Sequence, residues 1–212
     1  MGVILQHEIN YRISITNKKT NCMKKVLFSI LVCSLSLVAS AQQSWSNDPM
    51  HSRLGFVVKH LTISEINGQF STFSVKVKTT KPDFTDMKVS VTAKTASIST
   101  GVEMRDNHLK TADFFEVEKY PELTFESTSL KKISDKKFTL TGNLTLHGVT
   151  KPVTLHVTYY GTVVNPMSKK NTFGFHITGA VKRSDYGIGA KFPEQLVSDV
   201  IQIVADGEFV ND

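Results

Sequence analysis

The stretch Arg105 to Phe115, RDNHLKTADFF, sets an arginine, two aspartates, a histidine and a lysine within nine residues and closes on two phenylalanines. Acid, base and cation at this density are what general acid–base catalysis needs. His108 would accept the proton, and Asp106 or Asp113 would orient it. The structural alternative uses Arg105 and Asp106 to hold the segment in place through ion pairs and backbone hydrogen bonds. Leu109, Phe114 and Phe115 would then plug a core or gate its mouth. On a helix, residues two apart point in different directions, so Asp106 and His108 diverge. The sequence also has no Gly-x-Ser-x-Gly elbow to carry a nucleophile. The segment therefore reads as a hinge and lid, with an enzyme acting through His60 or His108 as the alternative.

The histidines raise a second chemistry. Zinc needs three or four convergent ligands. His51, His60, His108, His147, His156 and His176 are scattered, with no His-x-His or His-Glu-x-x-His spacing. Neither a metal nor a cofactor is expected. Alternation puts His147 and His156 on polar faces and His60 on an apolar one, where an imidazole needs a partner. In HGVTKP (147–152), Gly148 reads as a tight hairpin turn, and Pro152 as a strand start where its missing N–H is tolerated.

Residues 23–41, MKKVLFSILVCSLSLVASA, have a cationic head, an apolar run and a small-residue end before Gln42. That is the layout of a secretory signal peptide. The run from Val26 to Val38 is well short of the roughly 20 residues a membrane-spanning helix needs. We expect Met23 to be the initiator and 1–22 an upstream extension. The remaining segment, 42–212, keeps 20 basic and 18 acidic residues and neither cysteine. Its near-balanced charge gives no support for nucleic-acid binding. Its size suits one domain resting on a packed core without disulfides.

Period-two alternation dominates this segment. Leu54, Phe56 and Val58 share one strand face; Phe73, Val75 and Val77 share another, and so do Val89 and Val91. Leu123 with Phe125, Leu140 with Leu144, Val153 with Leu155, Phe173 with Phe175, and Ile201 with Ile203 repeat the pattern. Opposite them stand Thr, Ser and Lys, the mark of antiparallel sheets with one wet face. Eight strand candidates emerge, with a weaker one at 44–48. Turn signals include Asn67-Gly68, Lys81-Pro82-Asp83 and Ser184-Asp185. Alternation lapses only over 100–120, where the spacing predicts a short helix with Thr100 as its cap. Eight or so such strands form a sandwich or a closed barrel, and periodicity alone does not choose between them.

Six blocks carry a resemblance: DPMHSRLGFVVKHL (48–61), NGQF (67–70), SIST (97–100), MRDNHLKTADFFEVEKYPELTFEST (104–128), GNLTLHGVTKPVTL (142–155) and VKRSDYGIG (181–189). In order and spacing the segment resembles the YceI-like family of exported bacterial polyisoprenoid-binding proteins. The resemblance implies an extended lipocalin-like antiparallel barrel of about eight strands, an apolar cavity for a long isoprenoid or quinone-like lipid, and often a homodimer. It implies no catalysis.

The combined expectation is a periplasmic, or secreted, lipid carrier without cofactor or metal. Its ligand contacts would be Leu54, Phe56, Val58, His60, Val89 and Val91, then Phe125, Leu140, Leu144, Phe173 and Phe175, with Phe114 and Phe115 gating the tunnel. A barrel with a filled core, acting as a structural or interaction module, is the remaining alternative.

Overall fold

The computed structural model describes residues 42–212; the expected leader and upstream extension lie outside the described residues. The strands are β1 Gln43–His60, β2 Ser64–Phe70, β3 Phe73–Thr79, β4 Lys88–Lys94, β5 Ile98–Ser99, β6 Glu122–Ser134, β7 Lys137–Leu146, β8 Val149–Val164, β9 Asn171–Lys182 and β10 Val200–Asn211. Among the described residues there is one α-helix, α1, Glu103–Leu109. Hydrogen bonding runs β1–β3–β4–β6–β7–β8–β9–β10 and returns from β10 to β1, an eight-stranded closed antiparallel barrel. Closure leaves no edge along this ring.

β1 spans 18 residues because it changes partner along its length. Residues 43–46 pair with β3, and 54–60 pair with β2. The register against β10 slips between Asn47 and Ser52, so Pro49 to His51 bulge outward. Bulges of this kind bend a strand and increase its twist. β2 extends the barrel wall beside β1, and β5 caps the end of β2.

Asn67-Gly68 is therefore not a turn but the middle of β2. The glycine answers a packing need: a methyl group there would lie 2.2 Å from Cζ of Phe56. His147-Gly148 does form the expected two-residue turn, with φ of 51° and 75°. Positive φ at both positions matches the twist of the β7–β8 hairpin. Ser184-Asp185 lies in a single 3-10 turn, Arg183–Tyr186.

One end of the barrel is sealed by aromatic side chains. Phe84, in the loop between β3 and β4, packs 4.7 Å from Phe173 and 5.5 Å from Tyr159 (ring centroids). Trp45 packs 4.8 Å from Phe173, and Phe209 stacks on Phe173 at 5.1 Å. Phe84 sits at φ 59°, a conformation bulky residues rarely hold unless their surroundings impose it.

Asp86 imposes it. Its carboxylate accepts from Thr79 Oγ1 (2.6 Å), Thr80 N (2.9 Å) and Lys81 N (3.2 Å), and also from the Thr80 hydroxyl. These bonds, the Thr79 and Thr80 hydroxyls first, hold the Asp86 carboxyl well below the usual carboxylate range. A depressed folded pKa stabilises the fold above the unfolded value, about pH 4, and the contribution is lost as pH falls below it. Asp86→Asn should accordingly melt lower than wild type at pH 7, with the gap narrowing progressively below about pH 4. Thermal melts across that range read it directly; a pH-independent gap would show that the carboxylate charge is irrelevant to the loop.

Candidate functional site: an apolar cavity in the barrel

Between the aromatic plug and the opposite end lies a cavity of about 250 Å³. Alternation builds its wall, since every second residue of each strand points inward. Leu54, Phe56 and Val58 of β1 line it, with Val89 and Val91 of β4 and Phe125 of β6. Leu140 and Leu144 of β7 and Phe175 of β9 complete the expected strand positions. The surface these residues present is almost wholly hydrocarbon.

Two expected contacts stand elsewhere. Phe173 shares a face with Phe175 but lies one pleat nearer the sealed end. There it is 1 % exposed and belongs to the plug. His60 lies where β1 leaves the barrel and bridges Val197, while the Lys59 carbonyl accepts from Ser198 N at 2.9 Å. His60 is not part of the cavity wall.

The open end is covered by α1 and the turns after it. Val102, not Thr100, is the N-cap of α1. Thr100 serves instead as the tether. Its N–H and hydroxyl donate to Asp106 Oδ1 (2.8 and 2.5 Å). Arg105 donates to the Thr100 hydroxyl (2.7 Å) and carbonyl (3.0 Å). Arg105 and Asp106 thus hold the first turn of α1 to Thr100, five and six residues earlier in the same segment, through hydrogen bonds.

Leu109, Phe114 and Phe115 hang from this lid into the cavity wall. Phe115 packs edge-on to Phe70 at 5.7 Å, and Phe114 stacks on Phe192 at 4.7 Å. Asp113 latches the lid to the loop between β9 and β10. It accepts from Lys191 Nζ at 2.7 Å and lies 3.2 Å from His108 Nε2. The Lys191 bond, and then the His108 bond, lower the Asp113 pKa; Asp113 in turn raises that of Lys191. His108 and Asp113 do meet, because the chain turns back after α1. Yet His108 is 48 % exposed and neither residue lines the cavity. The pair lies on the outer side of the segment that covers this end of the barrel.

Arg183 is the residue that alternation could not reveal. It lines the cavity and is 8 % exposed. Its guanidinium donates to five backbone carbonyls: Ser198 (3.2 Å), Ile188 (3.1 Å), Gly189 (2.6 Å), Phe192 (2.6 Å) and Val197 (3.0 Å). Those bonds use every N–H the group has. They fold the whole β9–β10 loop around one cation, and that loop carries the surfaces on which the lid rests.

At the β1 bulge, ligand atoms of Asp48, His51 and Glu208 lie within 4.8 Å of one another. The Asp48–His51 hydrogen bond of 2.9 Å raises the His51 pKa and lowers that of Asp48. Asp48 and His51 form a surface pair with Glu208 beside it.

The model of the YceI-like domain family matches residues 45–209. The chain belongs to the YceI-like family. A UPF0312 protein of Staphylococcus aureus is 36 % identical over 162 residues, 76 % of this chain and 91 % of that protein. The Campylobacter jejuni YCEI protein structure is 35 % identical with a TM-score of 0.66, covering 73 % of this chain and 89 % of that one. Burkholderia cenocepacia BcnA gives 26 % identity and a TM-score of 0.69, over 76 % and 98 % of the two chains. A structure described as a polyisoprenoid binding domain from Saccharophagus degradans shares the fold at 16 % identity and a TM-score of 0.56. It covers 79 % of this YceI-like chain and 98 % of its own.

Proposed function

We propose that this YceI-like protein is exported to the periplasm through the leader at 23–41 and carries a long-chain isoprenoid or quinone-like lipid in its barrel. The observation that carries the reading is the cavity with hydrocarbon walls in the barrel's interior. Leu54, Phe56, Val58, Val89, Val91, Phe125, Leu140, Leu144 and Phe175 are its contacts, and Phe114 and Phe115 its gate. Burial contributes about 0.8 kcal/mol per methylene, so a few prenyl units supply ample gross driving force. Ordering a flexible chain offsets part of that gain. Aromatic walls suit a branched hydrocarbon because broad rings give contact at many angles. A cavity of about 250 Å³ holds only part of a long chain, and the rest threads past the gate. Export fits the same role, since a prenyl lipid needs a carrier to cross an aqueous compartment.

Native mass spectrometry of protein purified from a bacterial periplasm tests the reading. The expected spectrum shows a polypeptide starting at Gln42 with bound prenyl lipid, which solvent extraction then identifies. The same spectrum counts subunits and so tests the dimer. A lipid-free protein that also refuses added prenyl lipid after delipidation would overturn the carrier role.

A further inference from the structure

We propose that the sealed end of the barrel docks on an anionic lipid surface, with the tip of the β8–β9 hairpin set into the head-group layer and the surrounding lysines against lipid phosphates. The inference stands apart from the cavity and holds whether or not the barrel carries a lipid.

Several pieces of chain meet at this end. The rungs Gln43–Thr79, Trp45–Asn211, Thr172–Val210 and Lys137–Thr158 set the β3–β4 loop, the two chain-end strands and the β6–β7 and β8–β9 hairpins side by side. Residues 76–88, 131–137 and 165–170 carry ten lysines and three aspartates. All ten lysines are exposed. Among the described residues only two of them form an ion pair: Lys76 with Asp212 at 3.3 Å and Lys132 with Asp135 at 3.1 Å. Asp86 is committed to the Thr79 and Thr80 hydroxyls instead.

The opposite end reverses the balance. Residues 103–122, which cover it, hold six acids against three lysines or arginines, and the 182–199 loop holds three of each. The near-neutral sum over 42–212 therefore hides a strong polarity along the barrel, and the sealed end is its positive pole.

Exposed apolar side chains stand among these lysines. β8 runs past its last rung with β7, Lys137–Thr158, and continues against β9 to Val164–Asn171. Val163 and Val164 point to opposite faces, as successive strand residues must, and they are 64 % and 62 % exposed. The tip of this hairpin is thus free on both faces. Met167 in its turn is 92 % exposed, and Ile133 on the neighbouring β6–β7 tip is exposed as well. Apolar tips within a basic surround match a bilayer interface on both counts: the tips reach the acyl boundary while the lysines meet phosphates. A second copy meeting this face with its own sealed end brings the same charge and is repelled. Docked this way, the lid end faces away from the lipid surface.

Sedimentation with vesicles tests the proposal. The purified protein should bind vesicles of phosphatidylcholine containing about one-third phosphatidylglycerol, and not phosphatidylcholine alone. Raising NaCl from about 0.05 to 0.5 M should release it. Lys131→Gln, Lys136→Gln and Lys169→Gln combined should weaken binding about hundredfold, at about fivefold per lysine. The same charge change at the lid end, Lys59→Gln, Lys110→Gln and Lys182→Gln combined, should stay within about twofold of wild type, because those charges lie beyond a screening length from the surface. Met167→Trp reads insertion. The native Trp45 is the sequence's single tryptophan and is buried, so a blue shift absent from wild type reports the hairpin tip entering the layer. Equal losses in the two triple variants, equal binding to neutral vesicles, or no uptake by anionic vesicles would each overturn the proposal. Retention on polyglutamate without uptake by vesicles would assign the face to an acidic protein and overturn it too. Vesicle binding with unshifted Met167→Trp emission would place the tip outside the layer, against the proposal.

Discussion

Leu144→Arg is expected to abolish uptake of a prenyl lipid. Leu144 is 9 % exposed, faces the cavity from β7, and pairs across to Phe125 and Lys151. A guanidinium there meets hydrocarbon and finds no carboxylate. Even after relaxation, an unpaired charge in such surroundings costs several kcal/mol, a loss of at least about hundredfold in affinity. The side chain also occupies volume the lipid needs. Asn143→Arg, one residue earlier on the exposed face, supplies the control: same charge, same strand, binding intact. Affinity measurements on both folded variants decide the matter. If Leu144→Arg still binds a prenyl probe normally, the lipid does not occupy this wall.

Arg183→Met should be the most destabilising single change considered. It leaves five carbonyls without the cation that organises them. Disrupting a buried charged network of this kind typically costs about 3–5 kcal/mol. For a domain of this size each kcal/mol lowers Tm by about 2–4 °C, so a drop of roughly 6–20 °C is expected. Arg183→Lys keeps the charge but brings three donors in place of five, in a different geometry. It should recover less than half of the loss. Thermal denaturation of the two variants measures this. A methionine variant that melts within about 2 °C of wild type would show that the loop holds without the cation.

These two residues contrast in how they could be known. Leu144 is legible in the chain because the pleat has a period of two, a local rule that assigns a face wherever a strand forms. Arg183 is not, since its partners lie in a loop of irregular backbone up to 15 residues away. No periodicity links a side chain to carbonyls brought round by a turn. Asp113 with His108 lies between these cases, since the sequence offered both Asp106 and Asp113 as partners of His108 and only the fold chose. Helical geometry separates Asp106 from His108 correctly, but the return of the chain after α1 brings Asp113 back to the imidazole.

The sequence by itself determined that the strands are antiparallel and one-sided, that Phe114 and Phe115 interrupt them, and that the chain is YceI-like. Local chemistry suffices there: alternation, turn residues and ordered motifs act over a few positions. Only the tertiary structure decided that the sheet closes through β1 and β10, since closure depends on register between strands at opposite ends of the chain. It also decided which phenylalanines seal and which line. Phe173 and Phe175 obey the same alternation, and only the height at which Phe84 enters the barrel separates plug from wall.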